Sequence, residues 1–579
     1  MIKIKIVLSA LNSKFIHSSL ALRSIMAYCG AYEEHLILRE FTINNSEDFI
    51  LRELNKIKPQ VICFSCYIWN IEMIKNICGN LRKILKETII VLGGPEVSYE
   101  IEFENLNADI IITGEGEATF KELAERLINE EDFYDIDGIA YQKDGRLIKN
   151  KDREFLDLNT IPFVYQGLEG LDNKILYYES SRGCPFSCQY CLSSVEHGVR
   201  FLSVERVKED LTFFYENRPK QVKFVDRTFN CNKKHALFIW QYLIEKDNGF
   251  TNYHFEISAD LLDDEMISTL EKARPGLFQL EIGVQSTNWD TLGDIKRRTN
   301  LDKLFEKVKK VKSFHNIHQH LDLIVGLPKE GYESFKKSFN DVYAVKADML
   351  QIGFLKLLRG SGLRRDAKKN KIVYKETAPY EVLYTNELTY DEFLRLKMLE
   401  EVFETYYNSG KFKNTLEYAV NTYSDPFSFY ESFMEYWEDK EHHKVSHSKI
   451  ELFNILFDFL SDISEMDMRI ACDLLKFDLF LNENIKNLPQ WAKRTNYAKL
   501  KENLDSFYDA DENKEKYFKN LSAFNAKQLA RMCHIEEFEY DVYTFSKTGN
   551  IKNNKTYILF NYYERDALSN NAKYDSVTL

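Results

Sequence analysis

The stretch ILYYESSRGCPFSCQYC, residues 175–191, indicates the architecture of the middle of the chain. Its opening residues, ILYYES, are rich in Ile, Leu and Tyr and predict a buried β-strand. Cys184, Cys188 and Cys191 then follow with the spacing C-x3-C-x2-C, so three thiols stand within eight residues directly after that strand. The other seven cysteines are scattered and are typical of small buried side chains. The three-cysteine loop therefore predicts a metal site rather than a disulfide.

Two kinds of metal site compete for this loop. Structural zinc uses four tetrahedral ligands, usually as two separated pairs, and the nearest further donors are His197 and Cys231, 40 residues beyond Cys191. A four-iron cluster held by three cysteines leaves one iron open for a small ligand. Gly183 would permit a tight turn before the first cysteine, and Phe186 and Tyr190 would shield a cluster from water. The spacing favours the cluster, and a zinc-stabilised interaction protein is the alternative.

Outward from the loop, strand and helix signals alternate six times. The strand candidates are ILYYESS, QVKFVD, HFEISA, LFQLEIGV, HQHLDLIVG and MLQIGFL, each separated from the next by a helical segment. Six such units predict a partial (β/α)6 barrel over residues 175–385, since a closed barrel needs eight. The strand, the C-x3-C-x2-C loop and the units that follow resemble the radical S-adenosylmethionine (SAM) superfamily.

That resemblance implies a cofactor set and its contacts. Cys184, Cys188 and Cys191 would bind a [4Fe-4S] cluster as the catalytic metal site, and SAM would fill the open iron and be cleaved reductively to a 5′-deoxyadenosyl radical. The strand ends would supply the SAM contacts, namely Asp226, Glu256, Ser258, Glu281, Gln285, Gly326 and Pro328. Asp226 departs from the acidic-glycine pattern of the family at this strand end.

The first 135 residues alternate short apolar strands with amphipathic helices. VICFSCYI and TIIVLGG are near-continuous apolar runs, which predict a parallel, doubly wound, Rossmann-like sheet. Ligands of such sheets bind beyond the carboxyl ends of the strands. A domain of this kind before a radical SAM core resembles the cobalamin-binding members of the superfamily. The implied cobalamin contacts are Asn12, His17, Ser18, Ser19, Ser65, Cys66, Gly93, Gly94, Glu96, Gly114, Glu115, Gly116 and Glu117.

No Asp-x-His-x-x-Gly stretch, which supplies the lower cobalt ligand of other cobalamin modules, occurs in the sequence. His17 is therefore predicted to be a polar contact to cobalamin rather than a ligand of cobalt.

The remaining segments carry weaker signals. Residues 136–174 predict a linker with a small hairpin, and residues 386–579 predict a mainly helical domain that caps the active site. Near the C-terminus, a hairpin with its turn at Gly549-Asn550 is expected, and the last ten or so residues are expected to fray. After the last barrel strand, Lys356, Arg359 and Ser361 are hypothesised to meet an anionic group of the substrate.

Composition limits the kinds of partner. The 579 residues include 77 Lys and Arg against 90 Asp and Glu, a net charge of −13, which argues against non-specific nucleic-acid binding. We expect a cytoplasmic protein, because no run approaches the roughly 20 apolar residues of a membrane span and no signal peptide is recognisable. The expected partners are a small-molecule substrate and an external flavodoxin- or ferredoxin-like electron donor.

The function indicated is that of a cobalamin-dependent radical SAM enzyme, which methylates an unactivated carbon through methylcobalamin. Two alternatives stay open: a cyclisation, rearrangement or redox reaction with the same cofactors but without methyl transfer, and a non-catalytic cluster or cobalamin sensor.

Overall fold

The computed structural model describes residues 4–195, 198–521 and 524–579, so His197 lies outside the described residues. The chain forms two compact units: residues 1–335 with 352–393, and residues 336–351 with 394–579. Among the described residues, none of the helices combines the length and the apolar content that crossing a membrane requires.

The first unit begins with a seven-stranded sheet flanked by helices. Its strands are β1 Ile6–Asn12, β2 Leu36–Thr42, β3 Val61–Ser65, β4 Ile89–Gly93, β5 Ile110–Ile112, β6 Ile139–Lys143 and β7 Arg146–Lys149. Its helices are α1 Leu20–Cys29, α2 Glu47–Ile57, α3 Ile71–Ile84, α4 Pro95–Ser98 and α5 Gly116–Ile128. The order is β2-β1-β3-β4-β5-β6-β7, with the first five strands parallel. This confirms the predicted doubly wound domain.

Strand β3 shows why this sheet is covered on both faces. Ile62 and Phe64 pack into one apolar cluster, whereas Val61 and Cys63 pack into another. Because successive side chains of a strand point to opposite faces, both faces are buried and the strand reads as a continuous apolar run.

The small hairpin predicted within the linker belongs to this sheet. β6 pairs antiparallel with β5, and β7 pairs antiparallel with β6. Pairing satisfies the backbone edge that β5 would otherwise expose, so the sheet extends to Lys149, beyond the predicted boundary at residue 135.

A second sheet, of six strands, confirms the partial barrel. The elements of this region are β8 Leu176–Tyr178, β9 Ser181–Cys184, β10 Gly198–Phe201, α6 Val204–Asn217, β11 Gln221–Phe224, α7 Lys233–Glu245, β12 Asn252–Ile257, α8 Asp264–Glu271, β13 Phe278–Gln285, α9 Trp289–Asp294, α10 Leu301–Lys312, β14 His318–Val325, α11 Tyr332–Tyr343, β15 Met349–Phe354, α12 Gly362–Arg365, β16 Val373–Tyr374 and β17 Val382–Tyr384. The sheet order is β15-β14-β13-β12-β11-β8.

The start of the cysteine loop is a strand, not the tight turn that Gly183 suggests. β9 pairs antiparallel with β10, and Gly183 lies opposite Val199. Gly183 has φ 103°, and a Cβ there would overlap the carbonyl oxygen of Gly198. Glycine is needed at this position because the two backbones approach closely.

The C-terminal residues are mainly helical, as predicted. The helices are α13 Tyr390–Phe403, α14 Lys413–Ala419, α15 Pro426–Asp439, α16 Lys449–Ser461, α17 Met468–Asn482, α18 Tyr497–Asp509, α19 Asp511–Tyr517, α20 Ala526–Met532 and α21 Val542–Thr548. A three-stranded antiparallel sheet of β18 Cys533–Phe538, β19 Thr556–Arg565 and β20 Ala572–Val577 completes the unit.

Two predictions for the C-terminus are wrong. Gly549 does not make a hairpin turn; it ends α21 with φ 73°, the left-handed conformation that often closes a helix. The final residues are not frayed, because β20 pairs with β19 and buries Val577 in a cluster with Phe507 and Leu559.

Candidate functional site

A cavity of about 440 Å³ opens beyond the carboxyl ends of β3, β4 and β5. We call it the glycine cavity, because Gly93, Gly94, Gly114 and Gly116 all line it. Its other lining side chains are mainly apolar and include Leu20, Ile25, Val91, Ile112 and Phe120. Gly94 has φ 111°, and a Cβ there would lie 2.6 Å from the carbonyl oxygen of Cys66, so only glycine fits. The cavity presents backbone and apolar surface to its contents.

The predicted cobalamin contacts divide into two groups. Those that line the glycine cavity are Ser65, Gly93, Gly94, Gly114, Glu115, Gly116 and Glu117, and those that do not are Asn12, His17, Ser18, Ser19, Cys66 and Glu96.

Residues of the second group act within the protein. His17 Nδ1 lies 2.5 Å from the hydroxyl of Tyr177 on β8, and Ser18 Oγ donates to the carbonyl of Ile175 at 3.0 Å. Burial, together with the charges of Lys14 and Lys223, lowers the pKa of His17.

The other members of that group hold the backbone of the first domain. Asn12 Nδ2 donates to the carbonyl of His17 at 3.2 Å, and the Ser19 side chain caps α1. Cys66 is buried, and its thiol donates to the carbonyl of Phe64 at 3.7 Å.

Glu96 and Arg359 form a buried contact that the sequence does not predict. The hydroxyl of Tyr380 donates to Glu96 at 2.8 Å, and Arg359 Nε donates to the same hydroxyl at 2.9 Å. Arg359 also donates to the carbonyl of Glu100 at 2.8 Å and pairs with Glu102 at 3.2 Å. The hypothesis that Arg359 meets a substrate anion is therefore wrong, because carboxylates and carbonyls of the chain occupy its guanidinium.

The neighbours of Arg359 do not support that hypothesis either. Ser361 is buried and caps α12, and Lys356 is exposed and bridges to Glu381 through its backbone.

A second cavity, of about 210 Å³, lies at the carboxyl ends of the barrel strands. We call it the cysteine cavity, because Cys184, Cys188 and Cys191 all line it, together with the predicted shielding residues Phe186 and Tyr190. Burial raises the pKa of the Cys188 thiol.

Arg297, which the sequence does not predict, stands beside these cysteines. It lines the cavity, donates to the hydroxyl of Tyr190 at 3.2 Å and to the carbonyl of Gly283, and its positive charge opposes the effect of burial on the pKa of Cys188.

The predicted SAM contacts Glu256, Ser258, Glu281 and Gln285 line the cysteine cavity, and Asp322 joins them. Lys223 Nζ lies 3.0 Å from Glu281 and 3.6 Å from Glu256. Burial raises the pKa of both Glu256 and Asp322. Although burial opposes ionisation of Glu281 as well, His254 at 2.9 Å and the charge of Lys223 lower its pKa. Carboxylates with opposite pKa shifts therefore share one wall of this cavity.

Asp226, Gly326 and Pro328 are not among the residues that line the cysteine cavity. The Asp226 carboxylate is fully buried and accepts hydrogen bonds from the Ser180 amide at 3.0 Å, the Ser180 hydroxyl at 2.6 Å and the Ser181 hydroxyl at 2.5 Å. Burial raises the pKa of Asp226 to about 6. Asp226 thus holds the strand that leads into the cysteine loop, while Gly326 gives room to the ring of Phe393, which a Cβ would approach to 2.5 Å.

Arg182, two residues before Cys184, ties the two cavities together. Its guanidinium pairs with Glu115 at 2.9 Å, Glu117 at 2.8 Å and Glu179 at 2.7 Å. Arg200 on β10 also pairs with Glu115. The glycine-rich loop before α5 is therefore attached by ion pairs to β9, which ends at Cys184, and to β10.

Arg227 is shared by the two cavities: it appears in the lining of both, and no other described residue does. The sequence did not predict a role for it. The only signal there is a basic residue next to an implied SAM contact, Asp226, and this does not indicate where a side chain points.

The two cavities suit different groups. Three free thiols in one cavity match the ligand set of an iron–sulfur cluster that leaves an iron open. No group of three or more His, Cys, Asp and Glu side chains in the described part of the chain surrounds a single metal ion, and a cluster needs none because each thiolate binds a different iron. The glycine cavity offers the backbone approach and apolar depth that a bulky neutral ring with amide arms would require. The residues fit both groups.

Comparison with known families agrees with this division. Residues 6–124 match the family model "B12 binding domain", residues 178–342 match "Radical SAM superfamily", and residues 368–560 match "Protein of unknown function (DUF4080)".

Parts of the chain are similar to curated relatives and to a solved structure. An uncharacterized methyltransferase of Pyrococcus horikoshii is 27% identical over 281 residues, which cover 46% of this chain and 60% of the relative. The cobalamin-dependent radical SAM methyltransferase TokK of Streptomyces tokunonensis is 25% identical over 311 residues, covering 48% and 44%. The chain thus spans about half the length of these curated relatives. The cobalamin-dependent SAM radical enzyme OxsB, solved with aqua-cobalamin and SAM, has the same fold with a TM-score of 0.57 at 15% identity, covering 82% of this chain and 83% of that one.

The fold, the two cavities and the cysteine loop agree with these matches: a B12-binding domain is followed by a radical SAM domain. A third match, to DUF4080, follows these two domains toward the C-terminus. The cofactors of the protein are a [4Fe-4S] cluster, SAM and cobalamin.

Proposed function

We propose that this protein is a cobalamin-dependent radical SAM methyltransferase, which adds a methyl group to an unactivated carbon of a small-molecule substrate. The proposal rests on one observation, the meeting of the glycine cavity and the cysteine cavity at Arg227. When bound, the cluster and SAM supply a carbon-centred radical and cobalamin supplies a methyl group. A substrate between the two cavities would therefore be reached from both sides, and proximity of this kind makes a large contribution to rate.

The chain's own residues would position the cofactors and exclude water. Cys184, Cys188 and Cys191 would hold the cluster, and the Phe186 and Tyr190 rings would limit the access of solvent to it. Glu256 and Ser258 would orient SAM by hydrogen bonds at the strand end. Gly93, Gly94, Gly114 and Gly116 would let backbone amides approach the corrin and its nucleotide tail.

The carboxyl groups of Glu256, Asp322 and Glu281 would donate or accept protons beside the reacting centre. Burial raises the pKa of Glu256 and Asp322, which favours the protonated form of each, whereas His254 and Lys223 keep Glu281 ionised by lowering its pKa. Carboxyl groups whose environments push their pKa values apart are suited to different acid and base roles. An external flavodoxin- or ferredoxin-like protein is the proposed source of electrons.

The test is anaerobic purification with iron, sulfide and cobalamin, followed by incubation with SAM, a reductant and fractionated metabolite extracts. Mass spectrometry should detect 5′-deoxyadenosine, S-adenosylhomocysteine and a product heavier by one CH2 unit. A product of unchanged carbon number would replace methyl transfer by rearrangement or cyclisation. The absence of 5′-deoxyadenosine after reduction would contradict the radical SAM activity itself.

Two variants make this test specific. Replacing Cys184, Cys188 and Cys191 together by Ala should abolish 5′-deoxyadenosine while cobalamin still binds. The control is Cys472→Ala. Cys472 is a half-buried thiol on α17 outside both cavities, so this variant should give the wild-type yield of 5′-deoxyadenosine.

A further inference from the structure

The arginines that line the two cavities differ in what they contact. Arg182 is engaged by three carboxylates, and Arg297 donates to Tyr190 and to the carbonyl of Gly283. Arg227 forms neither a hydrogen bond nor an ion pair with any residue that the structure describes. Within the described residues around the two cavities, it is the arginine without a partner.

The backbone that carries Arg227 is held firmly on both sides. Asp226 before it is fixed by Ser180 and Ser181, as described above. After it, the Thr228 hydroxyl lies 3.5 Å from the sulfur of Cys184. Asn230 exchanges two hydrogen bonds with the backbone of Ser258, at 2.8 and 2.9 Å. The backbone that carries Arg227 is therefore already ordered before a ligand binds. This reduces the loss of conformational entropy on binding.

Charges near Arg227 do not neutralise it. Glu256 senses Arg227 through space, since the positive charge opposes the effect of burial on the pKa of Glu256. Yet Glu256 has Lys223 at 3.6 Å as its own ion-pair partner. Glu179, which also lines the glycine cavity, pairs with Arg182 at 2.7 Å. The Arg227 guanidinium is thus available to a ligand where the glycine cavity and the cysteine cavity meet.

We propose that Arg227 binds an anionic group of the substrate, a carboxylate or a phosphate, and so places the substrate between the two cofactors. This rests on the proposed function, because it assigns the substrate class of that same site. A guanidinium presents a planar fork of N–H donors that matches carboxylate and phosphate oxygens in pairs. In a cavity partly closed to water, such a pair gains more than it would in bulk solvent. Arg227 thus takes the anion-binding role that the sequence predicted for Arg359.

The competing occupants are anionic groups of the cofactors themselves, the carboxylate of SAM and the phosphate of cobalamin. When both cofactors are already bound, an experiment can distinguish binding of a substrate anion from binding of these cofactor groups. The protein is therefore used as the oxidised holoprotein loaded with cluster, cobalamin and SAM, in which no turnover occurs.

Two probes report the proposed site in that holoprotein, succinate for carboxylates and inorganic pyrophosphate for phosphates. Isothermal titration calorimetry should detect one equivalent of at least one probe. Arg227→Gln should weaken this binding by about tenfold or more, and Arg227→Lys by less, because lysine keeps the charge but not the fork. Arg146→Gln, at an exposed arginine of the β6–β7 hairpin, is the control and should bind as the wild type does. SAM and cobalamin affinities should stay within about twofold of wild type in all three variants, since a tenfold change would mean about 1.4 kcal/mol of lost contact.

Three results would overturn the proposal. One is wild-type holoprotein that binds neither probe, and another is equal probe binding in wild type and Arg227→Gln. The third is a tenfold loss of SAM or cobalamin affinity in Arg227→Gln, which would assign the residue to a cofactor. None of these readings depends on turnover, so a failure of the proposed function, seen as missing 5′-deoxyadenosine, is recognised separately. Cobalamin stoichiometry and thermal melting of Arg227→Lys confirm that the variants fold.

Discussion

The glycine cavity and the cysteine cavity lie in one compact unit and are built in different ways. The first is lined by glycines and apolar side chains, and its acidic residues are already paired with Arg182. The second is walled by thiols and by carboxylates with shifted pKa values. A large neutral ligand is selected by shape and backbone contact, whereas a cluster and a charged sulfonium require specific ionisable groups. One cavity therefore recognises its ligand by space and the other by charge.

Arg182 joins the two cavities, and its removal should have the largest effect on stability. Arg182→Met would leave Glu115, Glu117 and Glu179 without their shared partner. Because loss of one member of a buried ionic network leaves charges uncompensated, we expect a loss of about 3–5 kcal/mol in the free energy of unfolding. Chemical denaturation of the protein measures it, and cobalamin affinity and iron content should fall together.

A matched arginine of the first domain gives the control. Arg52 on α2 is exposed and pairs with Glu53 at 3.3 Å. Arg52→Met should cost about 1 kcal/mol or less, as exposed pairs do. Equal losses in the two variants would show that the Arg182 network does not join the cavities in any special way.

Asp226 tests, through pH, how the strand that leads into the cysteine loop is held. Its pKa is raised to about 6 in the folded protein by burial, from an unfolded value near 3.9. The folded state therefore binds this proton more tightly, so the stability that Asp226 contributes is complete below about pH 4 and is lost as pH rises through about 6. A difference of this size between the folded and the unfolded pKa corresponds to about 2–3 kcal/mol in the free energy of unfolding.

Comparison with Asp226→Asn isolates that contribution, since the other groups titrate alike in both proteins. The stability of the wild type relative to the variant should fall between about pH 4 and pH 7. If the difference in free energy of unfolding stays constant or rises across this range, the raised pKa of Asp226 would be refuted.

Gly94 tests the cavity that recognises by space. In Gly94→Ala, the new Cβ would meet the Cys66 carbonyl at 2.6 Å, and a positive φ costs a non-glycine residue about 1–3 kcal/mol. We expect cobalamin affinity to fall by about tenfold, while iron content stays at the wild-type level.

Gly145 is the control for Gly94. It also has a positive φ, but no atom lies within 4 Å of its Cβ position, in the β6–β7 hairpin. Gly145→Ala should keep cobalamin affinity, and a loss as large as that of Gly94→Ala would mean that backbone strain rather than cavity shape is responsible.

His17 should give the smallest effect. It pairs with Tyr177 and does not line the glycine cavity. In His17→Gln, electron paramagnetic resonance of the cob(II)alamin form should be unchanged, because no His17 nitrogen is expected on cobalt. A lost nitrogen coupling would contradict this.

The sequence predicted the parts of the fold that depend on apolar pattern. The parallel strands β3 and β4 were legible because both faces of the sheet are buried and each reads as an unbroken apolar run. The site of the three cysteines could be predicted because all three lie close together in the sequence, in one loop. The glycines of the glycine cavity could be predicted as well, because they lie in short turns that directly follow apolar strands.

Pairings between distant residues could not be read in this way. The β9–β10 ladder depends on a close approach of Gly183 to Gly198, and Gly549 ends a helix where a turn motif suggested a hairpin. Asp226 and Arg227 are neighbours, yet one is buried under Ser180 and the other lines two cavities. Side-chain direction at a strand end is set by tertiary contacts that one sequence does not display. The capping role of residues 386–579 stays a prediction.

Metal analysis of the anaerobically purified and reconstituted protein tests whether the three thiols hold an iron–sulfur cluster beside a cobalamin. We predict about four irons and one cobalt per chain in the wild type, and cobalt without iron when Cys184, Cys188 and Cys191 are all Ala. A protein that takes up zinc alone, or one whose iron content survives loss of all three cysteines, would contradict this.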